Sequence, residues 1–377
     1  MKEPIKYFLI AGEPSGDLHG AKLIKAIKSL HPFSSFMGHG GHLMEKEGMK
    51  IVEHCNKLSI MGFKEVIVHL PRMLTIMNNT VELVNKVRPD RIILIDYPGF
   101  NLRFAKKVSK FGIPISYFIL PQAWAWKSKR VQIIKKYFDQ SFSIFPFEQK
   151  WYNSKGVDTK YYGHPFMEID HLDENRTQFF KRHKLNQKEK LIALLPGSRQ
   201  QEINKHWEIY NKTVTLLKET YPGLQVVVGK SNNVTFPKTN KSFKIEKNAK
   251  KAIIASDIAI VASGTATLEC AIEGTPLVVC YKVSPITWLI AKSMVKVEYS
   301  SIVNLIAGKK IVPEFLQSEM KPNIIKNKLI ELIDEKSKIR NQMMEDFLTI
   351  KNKLGTPGVY AKIANEILKA TKHEKNI

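Results

Sequence analysis

The chain has 377 residues, 44% hydrophobic and 10% aromatic, a composition that excludes a disordered protein and suits two folded domains better than one. Lys and Arg number 59 against 35 Asp and Glu, a net charge of +24. That surplus implies anionic company without choosing among nucleic acid, a phosphorylated substrate and an acidic membrane face. Cys55, Cys270 and Cys280 make an odd count with no Cys-x-x-Cys pair, which excludes a disulfide scaffold and a cysteine zinc site and suits a reducing cytoplasm. No apolar run approaches the ~18–20 residues of a membrane span, and the run before Glu13 is too short for a signal peptide.

In chain order, "KYFLIAG" reads as a first strand that runs straight into "EPSGDLHG" and a helix with Leu23, Ile24, Ile27 and Leu30 on one face. Glycines at a strand-to-helix junction mark either a tight turn or a ligand cradle, and both readings stay open at this point. "GHGGH" has a His-x-x-His spacing with no further ligand nearby, so a metal site is not expected there. "RIILID" is a fully apolar strand ending on Asp96. An acid there is poorly hydrated, so its pKa can rise toward that of a general base, although an Asx-turn over Pro98-Gly99 explains it equally well. "ISYFIL" leads to "PQAWAW", which places Trp124 and Trp126 beyond another strand end.

Residues 167–190 are highly charged and poor in strand signals, and read as an interdomain linker with a short helix. Strand–helix alternation then restarts with "LIALLPGSR", "LQVVVGK", "DIAIVASGTATLECAIEG" and "PLVVCYK". The expectation is α/β: two Rossmann-like domains, 1–166 and 191–340, facing each other across a cleft, then a helical segment 341–377 that crosses back. Ligands in such sheets sit beyond the carboxyl ends of the strands. In the second half, Gly264 removes a Cβ at a strand end and Thr265 can cap the helix that follows. Ser263, Gly264 and Thr265 therefore read as an anion site, strengthened by the helix dipole. Glu269 lies one turn on and suits ribose hydroxyls, whereas Arg199, after a Gly-Ser turn, can clamp a diphosphate. A capped surface helix and a surface salt bridge are the plainer alternatives for these two. There is no Walker-type phosphate loop, Gly-x-Gly-x-x-Gly fingerprint or Asp-x-Asp pair, so no cofactor and no metal is expected.

The segments "AGEPSGDLHGAKLI", "IMGFKEV", "IDYPGFN", "PQAWAWKSKRV", "GHP", "LLPGSRQQEI" and "ASGTATLECAIEGTPLVVCYK" resemble the lipid-A-disaccharide synthase family. The likeness runs in order from the first strand to "NLIAGKKIVPEF". It implies a GT-B type inverting glycosyltransferase that joins UDP-2,3-diacylglucosamine to 2,3-diacylglucosamine 1-phosphate through a β-1,6 linkage, without metal. Asp96 matches the family's essential acid and Arg199 its essential arginine. Ser15, Gly16 and Asp17 would close around the reacting sugars, and Asn304 is assigned to substrate binding. Val66, Ile67, Leu70, Met73 and Leu74, with Lys64 and Arg72 among them, read as a core stripe on periodicity alone. The resemblance makes them an acyl-chain patch on an anionic membrane face, on the cytoplasmic side of the inner membrane. Pro14 stands where Ala is common in the family and Leu120 where Ser is frequent. Two rivals remain: a UDP-N-acetylglucosamine 2-epimerase-like isomerase with the same architecture, and a nucleic-acid-binding protein. The charge is dispersed and no nucleic-acid module is recognisable, so nucleic acid is not expected as a partner. A homodimer through the helical C-terminus is left open.

Overall fold

The computed structural model describes residues 4–58, 70–126, 128–168, 174–231, 234–237, 240–294 and 297–375. The chain divides into two compact units, Met1–Glu168 with Gly355–Ile377, and Ile169–Leu354.

The first unit is built on a seven-stranded, wholly parallel sheet. Its strands are β1 (Lys6–Ala11), β2 (Ser35–Gly40), β3 (Lys50–His54), β4 (Arg91–Ile95), β5 (Ile115–Phe118), β6 (Gln140–Ser143) and β7 (Thr159–Tyr161), in the order β3-β2-β1-β4-β5-β6-β7. Successive side chains of a strand point to opposite faces, and both faces here are covered. Tyr7, Leu9 and Ala11 therefore join Ile93 and Ile95 in the layer under the Pro14–Leu30 helix, whereas Phe8, Ile10, Ile92 and Leu94 pack on the other side against Met77, Val84 and Phe104.

The Val359–Lys375 helix completes the first of these layers with Val359, Ile363, Ala364, Ile367 and Leu368. Two polar devices hold it. Glu168 Oε1 accepts the N–H groups of Val359 (2.6 Å) and Tyr360 (3.4 Å), capping its start. Near its end, the fully buried Arg91 donates from Nε to Thr371 Oγ1 (2.8 Å) and from Nη2 to Glu374, with Nη1 given to Ser116 Oγ (3.0 Å).

The second unit repeats the plan with six parallel strands: β8 (Leu191–Leu195), β9 (Gln225–Gly229), β10 (Lys244–Glu246), β11 (Ile258–Val261), β12 (Leu277–Tyr281) and β13 (Glu314–Leu316), in the order β10-β9-β8-β11-β12-β13. All five residues of β8 and all four of β11 are buried.

Two boundaries differ from the sequence expectation. The charged stretch 167–190 is not a solvated connector: the Arg176–His183 helix inside it buries Phe179 and Phe180, and Arg176 bonds Asp257 and the carbonyl of Ala255. The C-terminal segment is not one body either. The Lys338–Lys353 helix packs on the Thr265–Glu273 helix of the second unit, and a turn with positive φ at Gly355 and Gly358 precedes the return to the first.

Candidate functional site

Strand order reverses between β1 and β4 in the first sheet and between β8 and β11 in the second, so the crevice beyond those carboxyl ends is where each sheet can hold a ligand. Gly12 and Glu13 follow β1, and Asp96 and Tyr97 follow β4.

Asp96 and Tyr97 are consecutive left-handed residues, with φ of 47° and 48°. The backbone is held there from three directions. Asp96 N–H donates to the Phe118 carbonyl (2.9 Å), and its own carbonyl accepts from Tyr117 Oη (3.0 Å) and Asn101 Nδ2 (2.7 Å). The half-buried carboxyl thus follows the strand end on a fixed backbone. Burial pushes it up to about 6 and the Glu13 carboxylate adds to the rise, against the opposing pull of the Tyr97 N–H. Glu13, at the start of the Pro14–Leu30 helix, was not singled out from the sequence as a partner of Asp96.

The glycines of "AGEPSGDLHG" answer packing needs. A Cβ on Gly12 would lie 2.2 Å from the Tyr97 ring, and one on Gly16 would press on Ala11 Cβ at 3.2 Å. Gly16, assigned to the sugar by the resemblance, is buried in the first helical turn. Asp17 is corrected. It is 6% exposed, and its oxygens accept the N–H groups of Gly41 (2.8 Å), Leu43 (3.1 Å) and Met44 (3.0 Å), so it caps the His42–Lys46 helix instead of its own. Ser15 is exposed in the first turn, at the strand ends. His39 is buried and donates to or accepts from Thr80 Oγ1 (2.9 Å), and burial lowers it to about 4.

The loop after β5 is fixed by a residue that sequence reasoning missed. Glu148, fully buried, accepts from Trp124 Nε1 (2.9 Å) and from the N–H groups of Phe145 (3.1 Å) and Ile144 (3.2 Å), and burial pushes its carboxyl up to about 7. Trp124 is therefore a structural residue, while Trp126 is exposed against Arg130. The signal was a Glu at the third position of a helix after "FP", a capping-box pattern.

Beside Tyr97, the Leu70–Val87 and Pro98–Val108 helices enclose an apolar groove of about 290 Å³, where Leu70, Met73, Leu74 and Met77 face Tyr97 and Phe100; Arg103 and Lys107 also line it. Leu70 and Leu74 are exposed. Val66 and Ile67, and Lys64 with them, lie outside the described residues.

In the second unit a cavity of about 380 Å³ is lined by Gly197, Arg199, Ser263, Gly264, Thr265 and Glu269 among others, so five residues picked from the sequence share it. Gly197 has φ +122°, and a Cβ there would lie 2.3 Å from Glu202 Oε2. That oxygen accepts the N–H groups of Ser198 (3.0 Å) and Arg199 (3.2 Å), and the Arg199 guanidinium, 63% exposed, lies 3.7 Å from Glu202 Oε1 in the surface ion pair that was the plainer alternative for it. Across the cavity the Thr265–Glu273 helix starts with no side-chain cap: Gly264 occupies the N-cap and Thr265 is already helical, not the cap expected. Its first turn therefore has the geometry expected of an anion site, with no side chain of the N-cap residue occupying it. Ser263 contributes main chain only, since its hydroxyl donates to the Ser300 carbonyl (2.8 Å) and meets Ser300 Oγ (3.1 Å). Glu269 is half-buried without a hydrogen-bond partner among the described residues. Burial pushes its carboxyl up, with Lys250 opposing and Glu273 reinforcing.

Asn304, assigned to substrate binding by the resemblance, has its side chain turned to protein partners. It is fully buried, and all its bonding capacity is used: Nδ2 donates to the Val312 carbonyl (3.0 Å) and Glu314 Oε1 (2.7 Å), and Oδ1 accepts from Ile311 (2.8 Å) and Val312 (2.9 Å). Glu314 in turn accepts the N–H groups of Ser300 and Ser301, both at 2.9 Å, so Asn304 braces the segment that holds Ser263.

Two doubly wound parallel sheets with polar groups gathered at the switch points are the α/β architecture of the GT-B type. Solved structures share that fold: UDP-GlcNAc 2-epimerase from Neisseria meningitidis bound to UDP-GlcNAc (TM-score 0.64, 12% identity, 97% of this chain and 99% of that one) and the glycotransferase of kitacinnamycin (TM-score 0.63, 12% identity, 97% and 98%). The profile of the family described as lipid-A-disaccharide synthetase matches residues 7–359. Lipid-A-disaccharide synthase of Myxococcus xanthus is 35% identical over 376 residues, 98% of each chain, and that of Syntrophus aciditrophicus 34% over 367 residues, 94% and 95%. The chain belongs to the lipid-A-disaccharide synthase family. Among the described residues no helix is long and apolar enough to cross a membrane.

Proposed function

We propose that this glycosyltransferase condenses UDP-2,3-diacylglucosamine with 2,3-diacylglucosamine 1-phosphate, giving the β-1,6-linked disaccharide 1-phosphate and UDP. Asp96 takes the proton of the acceptor 6-hydroxyl. The oxygen attacks the anomeric carbon from the face opposite UDP, and the bonding pair of the sugar–phosphate bond leaves on the diphosphate. General-base help of this kind is worth ~10²–10⁴ in rate. The Arg199 guanidinium and the open N-terminus of the Thr265–Glu273 helix stabilise the departing charge, and Glu269 accepts from the ribose hydroxyls. The observation that carries the base role is a half-buried carboxyl, raised to about 6, at the end of the central strand β4. Ser15, exposed at the same strand ends, contacts the acceptor sugar.

The groove beside Tyr97 takes an acyl chain, and the helix that forms it rests on an anionic bilayer at the cytoplasmic face of the inner membrane. Supporting this are its apolar lining and the exposed Leu70, Leu74 and Arg72. A Leu74→Glu variant should lose most of its co-sedimentation with anionic vesicles while still binding UDP; equal pelleting would remove the membrane role.

The deciding assay supplies labelled acylated donor and acceptor, with and without EDTA. Disaccharide formation unaffected by EDTA is expected, since Arg199 and a helix N-terminus meet the diphosphate charge. Conversion of UDP-N-acetylglucosamine alone, with no transfer, would instead identify an isomerase.

A further inference from the structure

His206 lies outside the donor cavity, yet one of its ring nitrogens holds the loop that lines it and the other holds main chain past the end of a neighbouring strand. The side chain is fully buried on the Gln200–Thr220 helix, one turn beyond Glu202. Nε2 faces the Lys282 N–H (2.9 Å), just past the end of β12, and Nδ1 faces the Pro196 carbonyl (2.7 Å), just past the end of β8. A main-chain N–H can only donate and a carbonyl can only accept. The ring is therefore the neutral tautomer with its proton on Nδ1, donating to Pro196 and accepting from Lys282. Burial favours that neutral form, holding the ring below the usual histidine range. The ring is stacked on Tyr210 (centroids 6.0 Å apart, planes 9° apart) and tilted against Tyr281 (5.6 Å), so it cannot turn freely.

We infer that His206 is a positioning residue of the donor site, pinning the Pro196–Arg199 loop so that the Arg199 guanidinium is pre-set for the diphosphate. The inference rests on the donor reading given above. The loop is gripped at two points: His206 holds Pro196 at its start, and Glu202 holds the N–H groups of Ser198 and Arg199 at its end. Gly197, between them, supplies no stiffness of its own. With one grip released, the loop samples other arrangements, and affinity falls in proportion to the time it spends in the competent one. Lone histidines on an apolar helix face are ordinarily read as core. What separates this one is that both partners are strand-end main chain of the half-sheet that binds the anion.

Three whole-chain variants test it, with UDP as the probe and titration calorimetry as the readout. His206→Leu fills the site and removes both bonds. His206→Asn keeps a donor where Nδ1 sits, and His206→Gln keeps an acceptor where Nε2 sits. The expected result is a UDP Kd raised about tenfold in His206→Leu, restored within about twofold in His206→Asn, and left high in His206→Gln. The KM for the acceptor should not move in any of them. Equal Kd in wild type and His206→Leu overturns the inference, as does rescue by Gln equal to rescue by Asn, which would mark a merely structural role. Thermal melts report whether each variant folds, and the Asn–Gln comparison stands alone should the Leu variant unfold. Wild-type protein that fails to bind UDP would overturn the donor reading itself, and this inference with it.

Discussion

At Asp96 the charge and the backbone impose separate demands on one position. The left-handed conformation at φ 47° is tolerated by Asp and Asn better than by other residues with a Cβ. Asp96→Asn therefore isolates the carboxylate, whereas an alanine would disturb the turn as well. The Asn variant should fold with a melting temperature at or above that of wild type, since it removes a buried charge, bind UDP normally and lose ~10²–10⁴ in turnover. A base works only when deprotonated, so wild-type kcat/KM should fall with slope one as pH drops below about 6 and level off above it. A profile without that limb would remove Asp96 from the base role. Position was legible here because four consecutive apolar residues, 92–95, left little else for the acid at the strand's end to do. The Glu13 contribution was not, since two strands must pair side by side before residues 13 and 96 become neighbours.

Elements explain the misreadings as well. Asp17 follows a glycine in a loop-like run, and nothing local says that three N–H groups from residues 41–44 will occupy its carboxylate. Asn304 looked like a polar group near a site and is the internal brace of a turn. In both cases most partners are backbone donors or acceptors, which a residue pattern does not display. Residues 197–199 and 264–269 were readable because glycine, cap position and helix start fall within one short segment. Asp17→Ala should cost about 2 kcal/mol by leaving the start of the His42–Lys46 helix uncapped. Chemical denaturation measures this, and UDP affinity should be unaffected because the second unit holds none of these residues.

Across the whole molecule, alternation of strands and helices foretold both sheets, and a helical C-terminus that crosses back was expected, but its point of return, residue 355 rather than 341, was hidden, because amphipathic helices carry no address. The address is written in Arg91, a charge at the start of a central strand that must find partners in the last helix. Thr371→Val would leave the Arg91 Nε donor without its acceptor inside the core, at a cost of about 1–3 kcal/mol. Limited proteolysis should then release the Val359–Lys375 helix faster than in wild type, with donor binding intact. An unchanged cleavage rate would mean that apolar packing alone holds the helix.

The same return of the chain has a consequence for how the protein is made. Ile169–Leu354 is continuous, so the ribosome delivers all of the second unit before it delivers the last piece of the first. The first unit, though begun at the first strand, lacks a wall of its core and two partners of a buried guanidinium until the final helix emerges. The usual order of synthesis, in which the N-terminal unit matures first, is therefore reversed. A chain truncated between residues 354 and 359 carries a finished second unit and a first unit that still waits for its closing helix.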